Sequence, residues 1–466
     1  MGPTALSTDL YELTMAAAYF ENALQQPAVF ELFVHSLPPN RSYLVVAGLA
    51  QAIEYLSGLH FTGEEIGFLR QQPAFKNVQP EFFDYLASLR FTGDVWAMPE
   101  GTIAFGGEPL LRVTAPIIQA QLIETALLST INFQTLIASK ASRVVTAARG
   151  RDIVEFGTRR AHGPEAGLLA ARAAYIGGCV GTSNVEAGRR FGIPIFGTLA
   201  HSYVMAFDRE EDAFRSFLKV FPEASTILID TYDTVRAAEL LAAKFGPRVA
   251  AVRLDSGKLL RLSRQVRRIF DRADMNKTKI FASGDLNEYR IAALVAHDAP
   301  IDAYGVGSEL ATSYDAPALG GVYKLVSQFV GGNLKGRLKL SSGKTTYPQP
   351  KQVWRLVDRA GDFVGDRITQ ADEPAPSASA QPLLELVMRK GRATARTDGR
   401  ALLDDARERT NQQRKHLLPE LLALKSKAHY PVTFSKTLQQ ARQSLSAGIT
   451  ACHEKQKSVP HGKVRR

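Results

Sequence analysis

Between residues 153 and 307 the chain repeats one pattern, and this repetition constrains the fold more than any other feature. Each repeat is a short apolar run ending in glycine or a polar cluster, and helical patterns such as Val235 to Phe245 and Leu259 to Ala273 lie between several of them. The runs are Ile153 to Gly157, Pro194 to Thr198, Thr226 to Asp230, Val249 to Asp255, Lys279 to Asp285 and Ile301 to Gly307. Continuous apolar strands that alternate with helices indicate a parallel sheet covered on both faces. So many units favour a closed or nearly closed α/β barrel over a short open sheet.

The ends of these runs predict where a functional site lies. In an α/β barrel the carboxyl ends of the strands form one mouth, and catalytic residues gather there. Histidine, arginine, aspartate and serine residues all follow the predicted strands at this end. Glycines beside them let backbone N–H groups approach a phosphate closely. The pattern therefore indicates a site at the barrel mouth that suits a phosphorylated ligand.

The flanking segments predict structure outside the barrel. Capping and spacing predict a helix from Thr8 to Met15, and the stretch from Gln119 to Ala148, which lacks Gly and Pro, predicts a long buried helix. Strand formers are concentrated in Val29 to Val34, Ser42 to Val46, Val322 to Phe329 and Leu334 to Leu340. The low-complexity stretch Ala371 to Pro382 predicts an exposed loop, and helical patterns return from Arg400 to Leu424.

Composition excludes several classes of protein. The chain has 466 residues, of which 45% are hydrophobic, so it can bury one large core or two medium ones. It contains no apolar run long enough to span a bilayer, and its first twenty residues lack the basic start and apolar block of a secretion signal. Cys179 and Cys452 are far apart and lack metal-ligand spacing, which excludes a disulfide scaffold. We therefore expect a cytoplasmic protein that does not cross a membrane.

The formal net charge of +11 is concentrated at the C-terminus. Residues 401–466 hold thirteen Lys and Arg against five Asp and Glu, whereas the rest of the chain is close to balanced. No aromatic interleaving or nucleic-acid motif accompanies these charges, so a solvated tail is favoured over a nucleic-acid site. A distributed positive field would still attract phosphorylated substrates.

His201 lies in the run Gly-Thr-Leu-Ala-His-Ser, directly after a predicted strand. A single histidine in such a place is often a polar residue that only caps the following helix. Here two further polar clusters follow other strand ends of the same predicted sheet. That neighbourhood favours a functional role for His201.

Asp230, Asp233 and Asp255 form a second group at strand ends. Carboxylates in this position bind Mg²⁺, ribose hydroxyls or a developing positive charge at a sugar carbon. The alternative is helix capping, which suits Asp233 in its Asp-Thr-Val context. Asp255 follows Arg253 by two residues, so both side chains point to the same side of a strand. The pair is placed to clamp an anionic or aromatic substrate.

Two glycine-bearing turns and an arginine pair complete the candidates. Gly284 follows one late strand, and Gly305 and Gly307 follow the next, where phosphate sites of barrels commonly form. Arg159 and Arg160 follow an earlier strand, and guanidinium groups bind phosphate or carboxylate through two bonds at once. The alternative for the arginines is a surface pair in ordinary salt bridges.

Five stretches, taken in order along the chain, match one family pattern. They are TDLYELTM (Thr8 to Met15), EFGTRRAHG (Glu155 to Gly163), GTLAHS (Gly197 to Ser202), RLDSG (Arg253 to Gly257) and GGVYKLV (Gly320 to Val326). Together they resemble the nicotinate phosphoribosyltransferase family, from about Thr8 to Val326, with a weaker echo near the C-terminus. The sister nicotinamide enzymes are the other family with this combination.

The resemblance implies a type II phosphoribosyltransferase fold, in which an irregular α/β barrel packs with an α/β sandwich domain formed from both chain ends. On that basis we expect residues 1–118 to form the N-terminal part of the sandwich domain and residues 119–318 the barrel. Residues 319–400 would supply the return strands of the sandwich, and residues 401–466 a helical region with the basic tail. The resemblance also implies a homodimer with shared active sites.

The family reaction converts nicotinate and phosphoribosyl pyrophosphate to nicotinate mononucleotide and pyrophosphate in the Preiss-Handler route of NAD salvage, with Mg²⁺ assisting and ATP hydrolysis coupled. By resemblance, ATP phosphorylates His201, while Asp230 and Asp255 hold ribose hydroxyls, magnesium or both. The residues implied around the pyridine ring are Tyr11 and Phe156, which sandwich it, and Thr198 and Arg253, which border it. The residues implied at phosphate and ribose groups are Arg159, Gly284, Asp285, Gly305, Gly307 and Ser308.

Two positions bear on the details of the site. The family stretch usually reads Asp-Ser-Gly-Asp, whereas this chain has Lys258 in the last position. A cation there alters the handling of pyrophosphate or metal, or caps the next helix differently. The nicotinamide enzymes carry an aspartate where this chain has Ser183. That carboxylate would accept a bond from the amide and repel nicotinate, so Ser183 favours the acid as substrate.

Three alternatives remain beside this interpretation. They are a nicotinamide phosphoribosyltransferase, a barrel isomerase or aldolase acting on a sugar phosphate, and a basic protein that binds without catalysis. An isomerase or aldolase needs a Lys or Glu base at a strand end, and Glu155 is the single strand candidate. Only the basic tail favours the binding protein.

Overall fold

Two large sheets organise the molecule, one parallel and one antiparallel. The computed structural model describes residues 4–223, 225–340, 346–395, 399–426 and 428–457. Its strands are β1 (Pro27–Val34), β2 (Leu44–Val45), β3 (Asp94–Ala97), β4 (Ile103–Ala104), β5 (Pro109–Pro116), β6 (Asp152–Glu155), β7 (Gly181–Thr182), β8 (Thr226–Leu228), β9 (Ala251–Leu254), β10 (Lys279–Ala282), β11 (Ala303–Val306), β12 (Gly321–Val330), β13 (Asn333–Gly336), β14 (Lys351–Val357), β15 (Phe363–Gln370), β16 (Gln381–Pro382), β17 (Glu385–Arg389), β18 (Arg392–Ala393) and β19 (Val432–Phe434).

Helices cover both sheets and link them. They are α1 (Leu10–Glu21), α2 (Leu49–Gly58), α3 (Gly63–Arg70), α4 (Pro80–Ser88), α5 (Ile117–Leu122), α6 (Glu124–Ala147), α7 (Pro164–Ile176), α8 (Val185–Phe191), α9 (His201–Met205), α10 (Glu210–Val220), α11 (Thr234–Lys244), α12 (Leu259–Arg272), α13 (Glu288–Ala296), α14 (Ser308–Ala311), α15 (Arg400–Lys415), α16 (Pro419–Leu422) and α17 (Lys436–Lys457). Short 3₁₀ turns occur at Pro73–Phe75, Thr158–Arg160 and Gly246–Arg248. Among the described residues, no helix is long and apolar enough to cross a membrane.

The middle of the chain forms the predicted parallel sheet. Its six strands lie in the order β7-β6-β11-β10-β9-β8, and every neighbouring pair is parallel. Parallel pairing aligns the carboxyl ends of all six strands at one edge, so the residues that follow them meet there. The α/β architecture predicted for this region is confirmed.

The barrel is open, which corrects the expectation of a closed or nearly closed one. The predicted strand from Pro194 to Thr198 is reduced to a single bridge between Ile195 and Thr182 at the β7 edge. In the described part of the chain, no ladder joins that edge to β8. Pro194 cannot donate a backbone hydrogen bond, and Gly197 adds no side chain to pack, so the run does not extend the sheet. Strand β7, which lacks an apolar run, is missing from the prediction.

The second large sheet is built from both chain ends, as the resemblance implied. Its seven strands lie in the order β13-β12-β1-β5-β3-β17-β18, with β1 between β12 from the C-terminal part and β5 from the N-terminal part. A four-stranded sheet, β16-β14-β15-β19, lies near it, and β14 contacts β5. The prediction of a barrel packed with a sandwich domain from both ends is confirmed.

Helix α6 connects the two hydrophobic cores. Ile131 and Leu136 belong to the core of the sandwich domain, whereas Ile137 and Ala141 belong to the core of the barrel. The predicted single helix over this region is divided at Ile123, which ends α5 and begins α6. Because α6 packs on both sides, it fixes the sandwich domain relative to the barrel.

Several boundaries outside the barrel differ from the predictions. The N-terminal helix begins at Leu10, with Asp9 in the capping position, and runs to Glu21 rather than Met15. The predicted loop from Ala371 to Pro382 is largely exposed, but its last two residues pair as β16. Residues 458–466 of the basic tail lie outside the described residues.

Candidate active site

Arg253 and Asp255, predicted to point to the same side of a strand, lie side by side and bind each other directly. Arg253 on β9 donates from Nη2 to Asp255 Oδ1 at 2.6 Å, from Nε to Ser283 at 2.8 Å, and from Nη1 to Thr198 at 2.8 Å. These partners follow different strands or runs, so one guanidinium joins several strand ends. Arg253 has 12% of its side chain exposed and Asp255 has 30%. The pair is held firmly, yet it faces the open mouth.

The carboxylate of Asp255 stays ionised to low pH. Burial alone would raise its pKa, but the hydrogen bond from Ser283 and the charge and hydrogen bond of Arg253 together lower it below the usual value. Ser283 Oγ donates to Asp255 Oδ1 at 2.5 Å. Asp255 is therefore an anion that stabilises positive charge, and it is a poor general base.

Asp230, directly after β8, lies beside Asp255. Its Oδ2 accepts from the backbone N–H of Asp255 at 3.0 Å and from Ser256 Oγ at 2.6 Å. Its Oδ1 is buried and has no hydrogen-bond partner among the described residues. A buried carboxylate oxygen without a partner is costly unless a ligand completes it. The atom therefore indicates a place for a hydroxyl or a cation.

Phe156 forms an aromatic surface at the end of β6. Its ring is buried, lies 5.5 Å from the ring of Phe281, and has the guanidinium of Arg253 5.6 Å from its centroid. Gly305 is required here, because a Cβ at this position would lie 2.7 Å from Cδ2 of Phe156. A flat aromatic ligand that stacked on Phe156 would lie next to a cation.

Gly284 makes the backbone of its turn possible. Its φ is +91°, and a Cβ there would lie 1.9 Å from the carbonyl oxygen of Asp255. The next residue, Asp285, also has a positive φ of 47°. A cavity of about 540 Å³ opens beside this turn and is bordered by Asp255, Ser256, Gly284 and Asp285 among others. The second predicted turn, with Gly307 directly before Ser308 of α14, follows β11 in the neighbouring position. Gly305 was predicted in this turn but lies within β11, where it pairs with Val154.

His201 is the first residue of α9. Its Nδ1 lies 3.1 Å from Oγ1 of Thr231, which follows Asp230. This contact fixes the ring through one nitrogen and leaves Nε2 as the other polar atom of the imidazole. The histidine is thus oriented within the group of strand-end residues, as the sequence predicted.

Other predicted residues lie at the edge of this group or away from it. Arg159 and Arg160 are exposed on the 3₁₀ turn after β6. Ser183 follows β7, and its backbone N–H donates to the carbonyl of Glu155 at 2.9 Å. Tyr11 lies on α1 of the sandwich domain, where burial and then the charge of Glu124 raise its pKa. Tyr11 therefore makes a local contact within its own chain, and its ring remains 46% exposed.

Hydrogen bonds decide the roles of Asp233, a site residue or a helix cap, and of Glu155, a possible catalytic base. The Oδ1 of Asp233 accepts from the N–H groups of Val235 and Arg236 at 2.9 and 3.0 Å, so Asp233 caps α11. Glu155 is fully buried and accepts from Thr182 Oγ1 at 2.6 Å and from the N–H of Gly157. One oxygen binds β7 and the other binds the turn after β6, so both are occupied. This removes the one strand-end base that an isomerase or aldolase would have used.

Four residues of the site were missed by sequence reasoning. Ser283 joins Arg253 to Asp255, Ser256 binds Asp230, Thr231 orients His201, and Phe281 packs against Phe156. Ser283, Ser256 and Thr231 are each adjacent to a residue that was predicted, whereas Phe281 lies three residues before Gly284. The serines and the threonine could have been found from their positions after predicted strands, but small hydroxyl residues are common at such positions and do not by themselves indicate a site. Lys258, the departure from the family pattern, lies exposed directly before α12 without forming a side-chain cap.

This constellation defines a class of protein: an open α/β-barrel enzyme with an Arg–Asp pair, an oriented histidine and two glycine turns at its mouth. Family models match three successive regions, described as the nicotinate phosphoribosyltransferase N-terminal domain at residues 6–132, the quinolinate phosphoribosyl transferase C-terminal domain at residues 137–316, and the nicotinate phosphoribosyltransferase C-terminal domain at residues 376–442.

Relatives match the chain over its length. A nicotinate phosphoribosyltransferase of Mycobacterium tuberculosis is 46% identical, covering 99% of this chain and 98% of the relative. The Bacillus subtilis nicotinate phosphoribosyltransferase is 43% identical over 79% of this chain and 76% of its own. The crystal structure of human nicotinic acid phosphoribosyltransferase superposes with a TM-score of 0.83 at 29% identity, covering 94% of this chain and 99% of that one. The chain belongs to the nicotinate phosphoribosyltransferase family.

Proposed function

We propose that this protein transfers the phosphoribosyl group of phosphoribosyl pyrophosphate to the ring nitrogen of nicotinate, which releases pyrophosphate and forms nicotinate mononucleotide for NAD salvage. The observation that carries the proposal is the placement of Arg253 beside the Phe156 ring and within the strand-end carboxylates. The full-length relationship to named nicotinate phosphoribosyltransferases supports the same reaction.

Nicotinate is a flat ring with one carboxylate, and the site offers a partner for each part. The pyridine ring stacks on Phe156, with Thr198 at its border. A guanidinium has five N–H donors, and Arg253 uses three of them in bonds to the described residues. The two others are the donors assigned to the nicotinate carboxylate, a charge-assisted pairing that a neutral amide does not reproduce.

The preference for the acid over nicotinamide rests on charge as well. Ser183 is neutral and lies at the end of β7, next to the strand that carries Phe156. A carboxylate in its place would repel the nicotinate anion and attract the amide N–H groups. A nicotinamide-specific enzyme would be expected to have that carboxylate, and this chain has Ser183 instead.

Asp230 and Asp255 are assigned to the ribose hydroxyls and to magnesium. Oδ1 of Asp230 is buried and has no partner in the part of the chain that the structure describes, and carboxylate oxygens are the ligands that Mg²⁺ prefers. Among the described residues no group of three or more His, Cys, Asp or Glu side chains forms a metal cage. That fits a magnesium ion held by one or two carboxylates together with substrate phosphates. The metal, when bound, neutralises charge that develops on the departing pyrophosphate.

The remaining site residues orient the sugar phosphate and stabilise the transition state. Displacement at the sugar carbon develops positive charge there, and the Asp230 and Asp255 carboxylates are placed to stabilise it. The turns that contain Gly284 and Gly307, with Asp285, Gly305 and Ser308, present backbone N–H groups for the phosphates. Arg159 and Arg160, exposed at the edge of the site, are assigned to phosphate or carboxylate groups. The reaction needs no strong general base.

The coupling to ATP is assigned to His201. Nε2 attacks the γ-phosphorus of ATP, the bond to the ADP oxygen breaks, and ADP leaves. Water later cleaves the phosphorus–nitrogen bond and regenerates the histidine with release of inorganic phosphate. The contact from Nδ1 to Thr231 supports this assignment, because it fixes the ring with Nε2 directed elsewhere.

A homodimer with shared sites is supported by exposed apolar residues. Leu10 and Tyr11 project from α1 with 55% and 46% exposure. Around the barrel mouth the exposed large side chains include Ile195, Phe196, Met205, Tyr232 and Tyr314. Apolar surface of this extent is typical of an interface. We assign Tyr11 to the partner's site, opposite Phe156.

Mixing inactive Tyr11→Ala and Asp255→Ala proteins under subunit exchange tests this, because one site in each mixed dimer carries neither change. Verified mixed dimers without recovered activity would contradict the shared site.

We also assign the enzyme to the cytoplasm. Cys179 is buried and Cys452 exposed, and both are free thiols, which suits a reducing compartment.

The experiment that tests the function offers purified protein phosphoribosyl pyrophosphate and Mg²⁺ with nicotinate, nicotinamide or quinolinate, with and without ATP, and identifies the mononucleotide. We expect nicotinate mononucleotide, with turnover stimulated by ATP. The His201→Ala variant is the matched control, which should lose ATP hydrolysis and the stimulation while slow ATP-independent synthesis persists. Formation of nicotinamide mononucleotide at a comparable rate would contradict the proposal, and a stimulated His201→Ala variant would contradict the role of His201.

A further inference from the structure

A buried lysine joins the segments that follow the two glycine turns. Lys140 lies within α6, and its side chain is 1% exposed. Its Nζ donates to Glu288 at 2.6 Å and to Asp315 at 2.8 Å, and it lies 3.8 Å from Glu309. The mechanism proposed above does not use this ammonium group.

The anionic partners of Lys140 come from both turns. Glu288 is the first residue of α13, which begins just beyond the turn at Gly284, and Asn287 caps that helix. Glu309 is the second residue of α14, which begins directly after Gly307. One cation is therefore shared by the two backbone segments assigned to the phosphates.

Two arginines complete the cluster. Arg41 binds Asp315 through two bonds of 2.8 and 2.9 Å, and Arg143 binds Glu288 at 3.2 Å. Burial alone would raise the pKa of Asp315, but the hydrogen bonds from Arg41 and Lys140 lower it far below the usual range. The cluster thus brings together three basic side chains and three carboxyl groups.

A buried ionic cluster is a poor source of stability, because apolar side chains of the same volume are often as stable. Such a cluster does impose one relative arrangement on the segments that it joins, since each group needs its partners at hydrogen-bond distance. Helix α6 packs against both α13 and α14, so it provides a rigid base for this arrangement. Lys140 and Glu288 have 1% and 0% of their side chains exposed, so the ammonium group is enclosed by protein.

We infer that Lys140 is a positioning residue that fixes the two glycine turns relative to each other and thereby sets the affinity for the phosphate groups of phosphoribosyl pyrophosphate. It acts through Glu288 and Glu309 and does not touch the substrate. The inference rests on the proposed function, because it takes the turns at Gly284 and Gly307 as the phosphate site. Errors of about 1 Å in the placement of binding groups cost up to about a hundredfold in rate, so a loosened turn has a measurable effect.

The test compares Lys140→Met with the double variant Lys140→Met/Glu288→Gln and with Lys219→Met, an exposed lysine of α10. We expect Lys140→Met to raise the KM for phosphoribosyl pyrophosphate about tenfold or more, with the KM for nicotinate changed less than about threefold. The double variant removes one carboxylate together with the ammonium, so basic and acidic groups of the cluster stay equal in number. It should therefore recover melting temperature while the KM for phosphoribosyl pyrophosphate stays high. Lys219→Met should match the wild type.

Calorimetric titration of each variant with phosphoribosyl pyrophosphate and Mg²⁺, without nicotinate, separates this inference from the proposed function. Weakened binding to Lys140→Met and to the double variant supports positioning whichever base the enzyme accepts. Unchanged affinity in a folded Lys140→Met or double variant overturns it, and so does a double variant in which affinity recovers together with melting temperature. Wild-type protein that binds phosphoribosyl pyrophosphate but does not use nicotinate would overturn the proposed function and leave the test of Lys140 valid.

Discussion

The molecule contains two Arg–Asp pairs of nearly equal length in opposite settings. Arg253 and Asp255 are 2.6 Å apart at the barrel mouth, with 12% and 30% of their side chains exposed. Arg355 and Asp366 are 2.7 Å apart between β14 and β15, with 1% and 0% exposed. The first pair faces a cavity, and the second is enclosed by protein.

The pairs differ in the hydrogen-bonding capacity that they leave for a ligand. Arg355 also donates to Gln413 and to the carbonyl of Ile103, and its guanidinium lies over the ring of Phe363 at 4.3 Å. Asp366 also accepts from Tyr430 at 2.9 Å. Neither group faces solvent, so this pair holds the sheets together. At the mouth, Arg253 and the neighbouring Asp230 keep unsatisfied atoms. An Arg–Asp pair whose hydrogen bonds are all made within the protein serves structure, whereas a pair that keeps free donors or acceptors can bind a ligand.

The largest effect is expected on stability, from Arg355→Met. Removing one partner of a buried pair leaves an uncompensated charge, which costs about 3 to 5 kcal/mol in the free energy of unfolding. Urea denaturation measures this, and kcat of the folded variant should stay within about twofold of wild type. A stable variant with a large loss of kcat would erase the distinction between the two pairs.

The mirror variant at the mouth, Arg253→Met, should lose activity and keep stability. The variant removes the two donors proposed for the nicotinate carboxylate, so kcat/KM for nicotinate should fall about a hundredfold or more. The free energy of unfolding should change by about 1 to 2 kcal/mol at most. Arg261→Met, an exposed arginine of α12, is the control and should behave as wild type. Near-normal kcat/KM with a collapsed fold would place Arg253 with Arg355 as a structural residue.

The two regions should also respond to pH in opposite directions. Burial, and then the neighbouring carboxylate of Asp366, raise the pKa of Glu108 well above the usual value. A carboxyl whose pKa is raised by folding contributes most below its unfolded pKa, and that contribution is lost as pH rises through the folded value. Glu108→Gln should therefore gain stability over wild type, by about 1 to 3 kcal/mol, as pH rises from about 4.5 to 8.

Folding lowers the pKa of Asp255, so its contribution to stability depends on pH in the opposite direction to that of Glu108. Its lowered pKa means that its contribution is complete above the ordinary aspartate pKa of about 4 and is lost only as pH falls through the lower folded value. Melting temperatures of Glu108→Gln, Asp255→Asn and wild type across pH 3 to 8 compare the two. Parallel curves for Glu108→Gln and wild type would show that Glu108 ionises normally.

The smallest effect is a change of preference at the mouth. Ser183→Asp should shift the ratio of kcat/KM for nicotinamide over nicotinate upward by about tenfold, equivalent to about 1.4 kcal/mol. The partly exposed position limits the effect, because water screens the new charge. Ser183→Asn controls for size without charge. A ratio that moves equally in both variants would assign the change to shape.

Some strands and site residues could be predicted from the sequence, and others could not. The apolar runs that became β9, β10 and β11 were visible because parallel strands buried on both faces need continuous apolar residues. Strand β7 was invisible, because Gly181 and Thr182 form a strand only by pairing with β6. Arg253 and Asp255 were recognised from their spacing of two, whereas Ser283, which binds both, follows a different strand.

By itself the sequence determined the parallel α/β unit, the strand-end location of the chemistry and the membership of the family, because these follow from local periodicity and short motifs. Tertiary structure alone decided that the barrel is open, that Glu155 is occupied and Asp233 a cap, and that Lys140 serves both glycine turns. Those properties depend on hydrogen bonds between residues that are far apart in the sequence. A buried polar atom is defined by its partners, and residues such as Lys140 and Glu288 meet only after the chain has folded.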